Sequence, residues 1–325
     1  MKTMFVLTEK ENKLSQFTKD VIAGLSGKPK SLPSKYFYDA RGDELFRHIM
    51  ACKDYYLTRC EMEIFTQQTM QIAQAINKAG DEFDLIEFGP GDCSKSKYVL
   101  RELLRIGARF NYIPIDISHD VICDIELHLP KDLPGIKISC LNGDYHQMLK
   151  MHTAKSGVRK VILNLGGNIG NMLPKECSSF MGDLRKNLSQ GDIILTGFDL
   201  VKNPRVIQKA YDDSEGITRR FNLNLLLRIS NELEADLEIS KFDHYCNYDP
   251  TTGACKSYLI ALTDTSIKIG TETFDLLKYE SIWMEISQKY TVEQIKDFAW
   301  ANGFRQLRVF TDSKEWFADA LWEVR

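Results

Sequence analysis

Leu85-Ile86-Glu87-Phe88-Gly89-Pro90-Gly91-Asp92, followed one strand later by Ile113-Pro114-Ile115-Asp116, decides how this chain is read. An apolar run ends in Glu87, a Gly-x-Gly turn follows, and Ser94 and Ser96 stand where a helix begins. The second apolar run also ends in a carboxylate. Glycines let a turn pass close beneath a nucleotide-like ligand, and an acidic strand end accepts hydrogen bonds from ribose hydroxyls. A dinucleotide fingerprint needs a third glycine, which this turn lacks. An acidic residue ahead of the first glycine fits S-adenosylmethionine (SAM), a ligand with a ribose and no phosphates. The same turn also occurs as plain structure, so other segments must decide.

Outward from this turn, strands and helices alternate. Apolar runs at Phe83–Phe88, Tyr112–Ile117, Ile136–Cys140, Lys160–Leu165 and Asp192–Phe198 read as strands. Helical spacing lies between them, near Ser96–Ile106, Asp120–Leu129, Tyr145–Met151 and Lys175–Leu188. Near-continuous apolar strands separated by helices predict a parallel sheet covered on both faces. Upstream, the first ~80 residues read as helical, with breaks around Gly27-Lys28-Pro29-Lys30 and Pro33, Asp43 as a cap for a helix from Glu44, and a single helix over Arg59–Ala79. Downstream come helices at Val206–Asp213 and Thr218–Leu233, then β segments at Phe242–Tyr248, Lys256–Leu262, Thr265–Ile269 and Ile282–Tyr290. A helix at Val292–Ala301 and a hairpin of Arg305–Thr311 with Trp316–Val324 close the chain and return to the sheet. The expected division is a core of 61–201 plus 288–325, with a second domain from 1–60 plus 202–287. A cleft between them is the expected place for a small ligand.

Composition narrows the class. The chain has 325 residues, 43% hydrophobic and 27% charged, as expected of a large globular enzyme. A net charge of −3 offers no long-range attraction for nucleic acid or an anionic membrane. Lys155, Arg159 and Lys160 form a small basic cluster expected to be a solvated face. The start Met1–Leu7 is too short an apolar run for a signal peptide, and no stretch approaches a membrane span. The eight cysteines contain no Cys-x-x-Cys pair and read as small hydrophobes of a reducing cytoplasm. The six histidines lack zinc-ligand spacing, His48 reads as a helix-surface residue, and no metal is expected.

Several further segments are candidate ligand contacts. Tyr36-Phe37-Tyr38-Asp39 and Tyr55-Tyr56 supply apolar rings with hydroxyls, suited either to a polar ligand or to packing between helical layers. Gly166-Gly167-Asn168-Ile169-Gly170-Asn171 follows the fourth strand at the carboxyl edge where open parallel sheets bind ligands, although a mere turn reads the same way. Tyr211-Asp212-Asp213 and Phe221-Asn222-Leu223-Asn224 are a candidate ligand face or a solvated helix end. Glu285 and Ser287 fall on one side of a strand, as a pair gripping a ring N–H or as a solvent edge.

Together these segments resemble the histidine-specific SAM-dependent methyltransferases of the ergothioneine pathway, which convert L-histidine to its Nα-trimethyl betaine. The resemblance runs from about Leu32 to the C-terminus. It is carried by YFYDARGDELF (36–46), YYLTRCE (55–61), IEFGPGDCSKS (86–96), PIDIS (114–118), GDY (143–145), GGNIGN (166–171), FDLVK (198–202), AYDD (210–213), FNLN (221–224) and EIS (285–287). It implies a Rossmann-like class I methyltransferase core in an α/β chain, joined to an α+β substrate-binding domain. It also implies SAM as methyl donor, free L-histidine as substrate, the betaine hercynine as product, and a monomeric cytoplasmic enzyme.

Residue by residue, the resemblance implies SAM contacts at Gly89, Gly91, Lys95, Asp116, Asp144 and Tyr145. The α-amino and carboxylate groups of the substrate fall to Tyr55, Asn171 and Tyr211, with Tyr38 as the catalytic residue near the reacting nitrogen. Phe46 matches an aromatic wall, and Glu285 with Ser287 reads the imidazole. The chain departs from the family at Gly167-Asn168, where Ser or Thr is usual, and at Ser257, where a methionine lines the imidazole pocket. The second departure leaves open a related N-methyltransferase of another aromatic amino acid such as tryptophan. A non-catalytic binder of SAM or an amino acid is the remaining alternative.

Overall fold

The apolar run Phe83–Phe88 forms an inner strand of a seven-stranded sheet, buried along its whole length. The computed structural model describes residues 16–77, 80–154 and 156–325. In chain order the sheet strands are β1 Phe83–Phe88, β2 Phe110–Asp116, β3 Leu141–Asn142, β4 Arg159–Asn164, β5 Ile193–Asp199, β6 Phe304–Thr311 and β7 Phe317–Val324. They lie in the order β6-β7-β5-β4-β1-β2-β3. The β1–β5 pairings are parallel, whereas β7 runs antiparallel to both β5 and β6. The order reverses between β1 and β4, and the loops leaving these strands therefore diverge to open a ligand crevice.

This arrangement follows from which residues are apolar on both faces. Ile86 and Phe88 of β1, Ile162 of β4, Ile194 and Phe198 of β5 and Trp322 of β7 share one buried cluster with the helix Pro174–Lys186. Residues of the other pleat, such as Leu85, Leu163 and Leu195, are equally buried. The helix Leu57–Gln67 packs against β7. Each such aliphatic side chain contributes about 1.5–3 kcal/mol when withdrawn from water, so neither face tolerates exposure.

The chain divides into a unit of Leu57–Val201 with Gln288–Arg325, which contains this sheet, and a unit of Met1–Tyr56 with Lys202–Ser287. In the latter, Lys30–Ser31, Ser281–Gln288, Ala254–Ala261 and Phe242–Asp249 form a four-stranded sheet in that order. The helix Ile217–Glu232 presents Phe221, Leu225 and Ile229 at four-residue spacing to a core shared with Phe17, Leu45, Phe242 and Met284.

Several local expectations need correction. The helix expected from Glu44 spans Ala40–Ala51, and its cap is Asp39, whose side chain accepts from Gly42 N–H at 2.6 Å. Asp43 sits inside the first turn instead. The single helix expected over Arg59–Ala79 is two helices, Leu57–Gln67 and Thr69–Ile76; Ala79 lies outside the described residues. Gln68 breaks the run, and its amide reaches Thr311 O at 2.7 Å, a tertiary tie that local periodicity does not contain. The break expected around Gly27-Lys28-Pro29-Lys30 and Pro33 holds a short strand, Lys30–Ser31, paired with Ile282 and Trp283. The strand expected at Ile136–Cys140 is formed by Leu141–Asn142, at the sheet edge, with Ile138 making only an isolated bridge to Tyr112. The strand Glu272–Leu276 was not expected; it pairs with Thr265–Ile269 across a turn whose Gly270 has φ +58°. Lys160, expected on a solvated face, is only 6% exposed within β4, and Lys155 lies outside the described residues.

Candidate active site

At the end of β1 the backbone turns through Gly89 at φ +60° and Gly91 at φ +56°, the left-handed region that side chains disfavour. Gly89 has a second reason to lack a side chain. A β-carbon there would stand 2.8 Å from the Tyr145 hydroxyl oxygen. Tyr145 stacks on Phe88 with ring centroids 5.1 Å apart, so its hydroxyl is held over the turn. Burial and the neighbouring Asp116 and Asp144 carboxylates push its phenol up to about 12, which keeps it a neutral donor. Asp144 caps the helix Tyr145–Thr153, accepting from Gln147 N–H at 3.0 Å. At the end of β2, Asp116 Oδ1 accepts from Ser118 N–H at 2.8 Å, which sets the direction of the carboxylate.

Lys95 stands in the turn after β1, directly before the helix Ser96–Arg105. Its ammonium pairs with Glu61, a carboxylate only 1% exposed, and the surrounding carboxylates raise its pKa against the effect of burial. Glu61 Oε1 also accepts from Gly166 N–H at 2.7 Å, in the loop after β4. This loop passes through Gly166 and Gly167, both at positive φ, into a short 3-10 turn, Asn168–Asn171. Asn171 ends the turn and is exposed. A β-carbon at Gly170 would lie 2.8 Å from Gln288 O, so the loop seats against that backbone only as glycine.

Glu87, the last acidic residue before the turn, is buried and accepts from the Tyr112 hydroxyl at 2.5 Å. Burial raises its pKa from 4.5 to about 7. The native state therefore binds this proton more tightly than the unfolded chain. The stability so contributed is complete below pH 4.5 and is lost as pH rises through about 7. Glu87→Gln keeps an acceptor for Tyr112 and removes the buried charge. Its melting temperature is expected to match the parent near pH 5 and to exceed it by a few degrees at pH 8. Thermal melts at both pH values check this, and a parallel pair of curves would contradict it.

In the other unit the candidate residues form two groups. Tyr38, Phe46 and Phe221 make an aromatic trio, with ring centroids 5.6 Å (Tyr38–Phe46), 5.7 Å (Tyr38–Phe221) and 5.9 Å (Phe46–Phe221) apart. Tyr38 is 46% exposed. Tyr55 meets Tyr211 edge to face at 6.1 Å, and the Tyr211 hydroxyl is hydrogen-bonded to Ser287 Oγ at 2.7 Å. On the strand Ser281–Gln288, Met284 and Ile286 are buried, and Glu285 shares the opposite side with Ser287. Ser257 lies on the neighbouring strand Ala254–Ala261 and is 1% exposed. Asn171, assigned to the same substrate, belongs to the sheet unit.

Sequence reasoning missed Glu61 and Phe221. Glu61 closed a quoted motif but carried no role, because nothing local shows that its two oxygens serve the loops after β1 and β4. Phe221 stands in the candidate face Phe221–Asn224 and in the quoted FNLN motif, but carries no role of its own there. Among the described residues no group of three or more His, Cys, Asp or Glu side chains is placed to hold a metal ion. No described helix is long and apolar enough to cross a membrane.

A parallel sheet of this order with an antiparallel β7, a glycine turn after β1 and an acidic end to β2 defines a Rossmann-like SAM-dependent methyltransferase. The family model for histidine-specific, SAM-dependent methyltransferases matches residues 17–324, and the chain belongs to that family. It is 31% identical over 296 residues to histidine N-alpha-methyltransferase of Mycobacterium tuberculosis, covering 90% of each chain. It is 32% identical over 298 residues to the protein of the same name from Mycolicibacterium smegmatis, again covering 90% of each. Ergothioneine biosynthesis protein 1 of Neurospora crassa is 28% identical over 296 residues, spanning 89% of this chain and 32% of that longer protein.

Proposed function

We propose that the protein transfers methyl groups from SAM to the α-amino nitrogen of free L-histidine, ending at the trimethyl betaine. The observation that carries the substrate reading is the polar row on one strand side, Glu285 with Ser287, the latter fixed by the Tyr211 hydroxyl at 2.7 Å. It stands in a chain whose 31–32% identical relatives bear the name histidine N-alpha-methyltransferase. An imidazole has two ring nitrogens to pair with a carboxylate and a hydroxyl, whereas an indole has a single N–H and no ring acceptor, so this pair favours an imidazole over tryptophan-like substrates.

The chemistry asks little beyond alignment. Methyl transfer from a sulfonium to an amine is an in-line displacement: the N–C bond forms as the C–S bond breaks, and the sulfonium leaves as a neutral thioether. The enzyme contributes by holding donor and acceptor in line and by excluding water. An α-amino group of pKa about 8 or somewhat higher loses its proton at neutral pH for about 1–3 kcal/mol, so no strong base is required. In this reading Tyr38 orients the nitrogen and passes its proton on. Tyr55, Asn171 and Tyr211 hold the α-amino and carboxylate groups. The rings of Phe46 and Tyr55 face a product that carries a permanent positive charge. SAM falls to Gly89, Gly91, Lys95, Asp116, Asp144 and Tyr145.

Incubating the protein with SAM and each free amino acid, followed by product mass analysis, tests this reading. Histidine is expected to gain three methyl groups, and mono- and dimethylhistidine are expected to be consumed and to compete with it. No mass gain on histidine overturns the substrate assignment. Consumption of histidine without turnover of the dimethyl species overturns the trimethyl product.

A further inference from the structure

We infer that Glu61 is a positioning residue for the methyl-donor site, fixing the Lys95 ammonium against the Gly166 loop and thereby setting the affinity for SAM; this rests on the reading of Lys95 as a SAM contact. Glu61 comes from the helix Leu57–Gln67 and is 1% exposed. One oxygen accepts from Lys95, in the turn after β1, and the other from Gly166 N–H at 2.7 Å, in the loop after β4. These are the two loops at the point where the strand order reverses. A single carboxylate thus ties together both sides of the crevice.

The fold makes room for this tie. Gly197 of β5 is not among the glycines at positive φ, so its backbone does not require glycine. A β-carbon there, however, would stand 2.7 Å from Glu61 Oε1 and 3.1 Å from the Phe317 ring. The missing side chain is the seat of the Glu61 carboxylate. Beside it, Asp319 is the register partner of Gly197, is fully buried, and has no hydrogen-bond partner at either oxygen. Burial and Glu61 push its carboxyl well above the usual carboxylate range.

An ammonium in such a place needs a partner. Without one it releases its proton or moves to solvent, and either way its position is lost. The Lys95 side chain keeps 22% exposure. Lysine has three donors, so the pair with Glu61 leaves others for an incoming carboxylate, and SAM carries one. A β-carbon at Gly166 would lie 3.7 Å from Lys95 Nζ, which shows how closely the ammonium lies against the loop.

Glu61 could instead be an ion pair that only braces the core, and a double-mutant cycle separates the two roles. SAM affinity is measured by calorimetry for the parent, Glu61→Gln, Lys95→Met and the double variant, with a melt for each. Glutamine still accepts from Gly166 but offers no charge to Lys95. Each single change is expected to weaken SAM binding by about tenfold, and the double variant by no more than about threefold beyond Lys95→Met. Histidine KM at saturating SAM should stay within about threefold of the parent. Multiplication of the two effects, or unchanged affinity in Glu61→Gln beside a weakened Lys95→Met, overturns the inference. Unchanged affinity in Lys95→Met overturns the reading of Lys95 itself, and the inference with it. Should Glu61→Gln not fold, Gly197→Ala displaces the same carboxylate without removing it. It is expected to weaken SAM binding in the parent but not in the Lys95→Met background; equal weakening in both overturns the inference.

Discussion

Glu285→Ala is expected to raise the histidine KM by roughly ten- to a hundredfold, about 1.4–2.8 kcal/mol of lost binding, and to leave SAM affinity nearly unchanged. The expectation follows from strand alternation. Met284 and Ile286 are buried, so Glu285 and Ser287 share the other side, where Ser287 is already fixed by Tyr211 at 2.7 Å. A carboxylate facing an imidazole N–H gains a charge-assisted hydrogen bond, and its loss leaves that N–H without a partner. Turnover of tryptophan or phenylalanine, where detectable, should hold or improve, because an indole leaves the carboxylate poorly paired. Ser257, small and buried on the neighbouring strand, should already allow some aromatic tolerance in the parent. Steady-state kinetics at saturating SAM, with calorimetry of SAM binding, measure both quantities. Full histidine efficiency in the alanine variant would return Glu285 to the role of a strand edge.

Asp116→Ala is expected to weaken SAM binding by about 1–3 kcal/mol, roughly five- to 150-fold. Asp116 ends β2 beside the glycine turn after β1, and Ser118 N–H at 2.8 Å orients one of its oxygens. Two ribose hydroxyls donating to an ionised carboxylate make hydrogen bonds about twice as strong as neutral ones. Asparagine retains an acceptor but loses the charge, so Asp116→Asn should fall between parent and alanine. Histidine KM measured at saturating SAM should change little. Calorimetry that finds SAM affinity unchanged would remove Asp116 from the cofactor site.

Much of the sheet unit was legible in the chain because its signals are local. The strands β1, β2, β4 and β5 are near-continuous apolar runs, and the glycines after β1 and β4 mark turns that other residues disfavour. The alternation that sets Glu285 beside Ser287 is likewise a property of two neighbouring positions on one strand. Where a short-range rule and a long-range contact compete, the sequence is silent. Asp39 rather than Asp43 caps its helix, and Asn224, 185 residues away, also binds the Asp39 carboxylate at 2.9 Å. Gln68 ends a helix that periodicity continues, and its side chain is taken by Thr311. The tertiary structure alone decided three things about the site: that Tyr211 grips Ser287 across 76 residues, that Phe221 joins Tyr38 and Phe46, and that Glu61 lies over Gly197 between Lys95 and Gly166. Periodicity reports which face of an element is buried; which buried groups then meet depends on strand order and register, and those are settled only when the whole sheet closes.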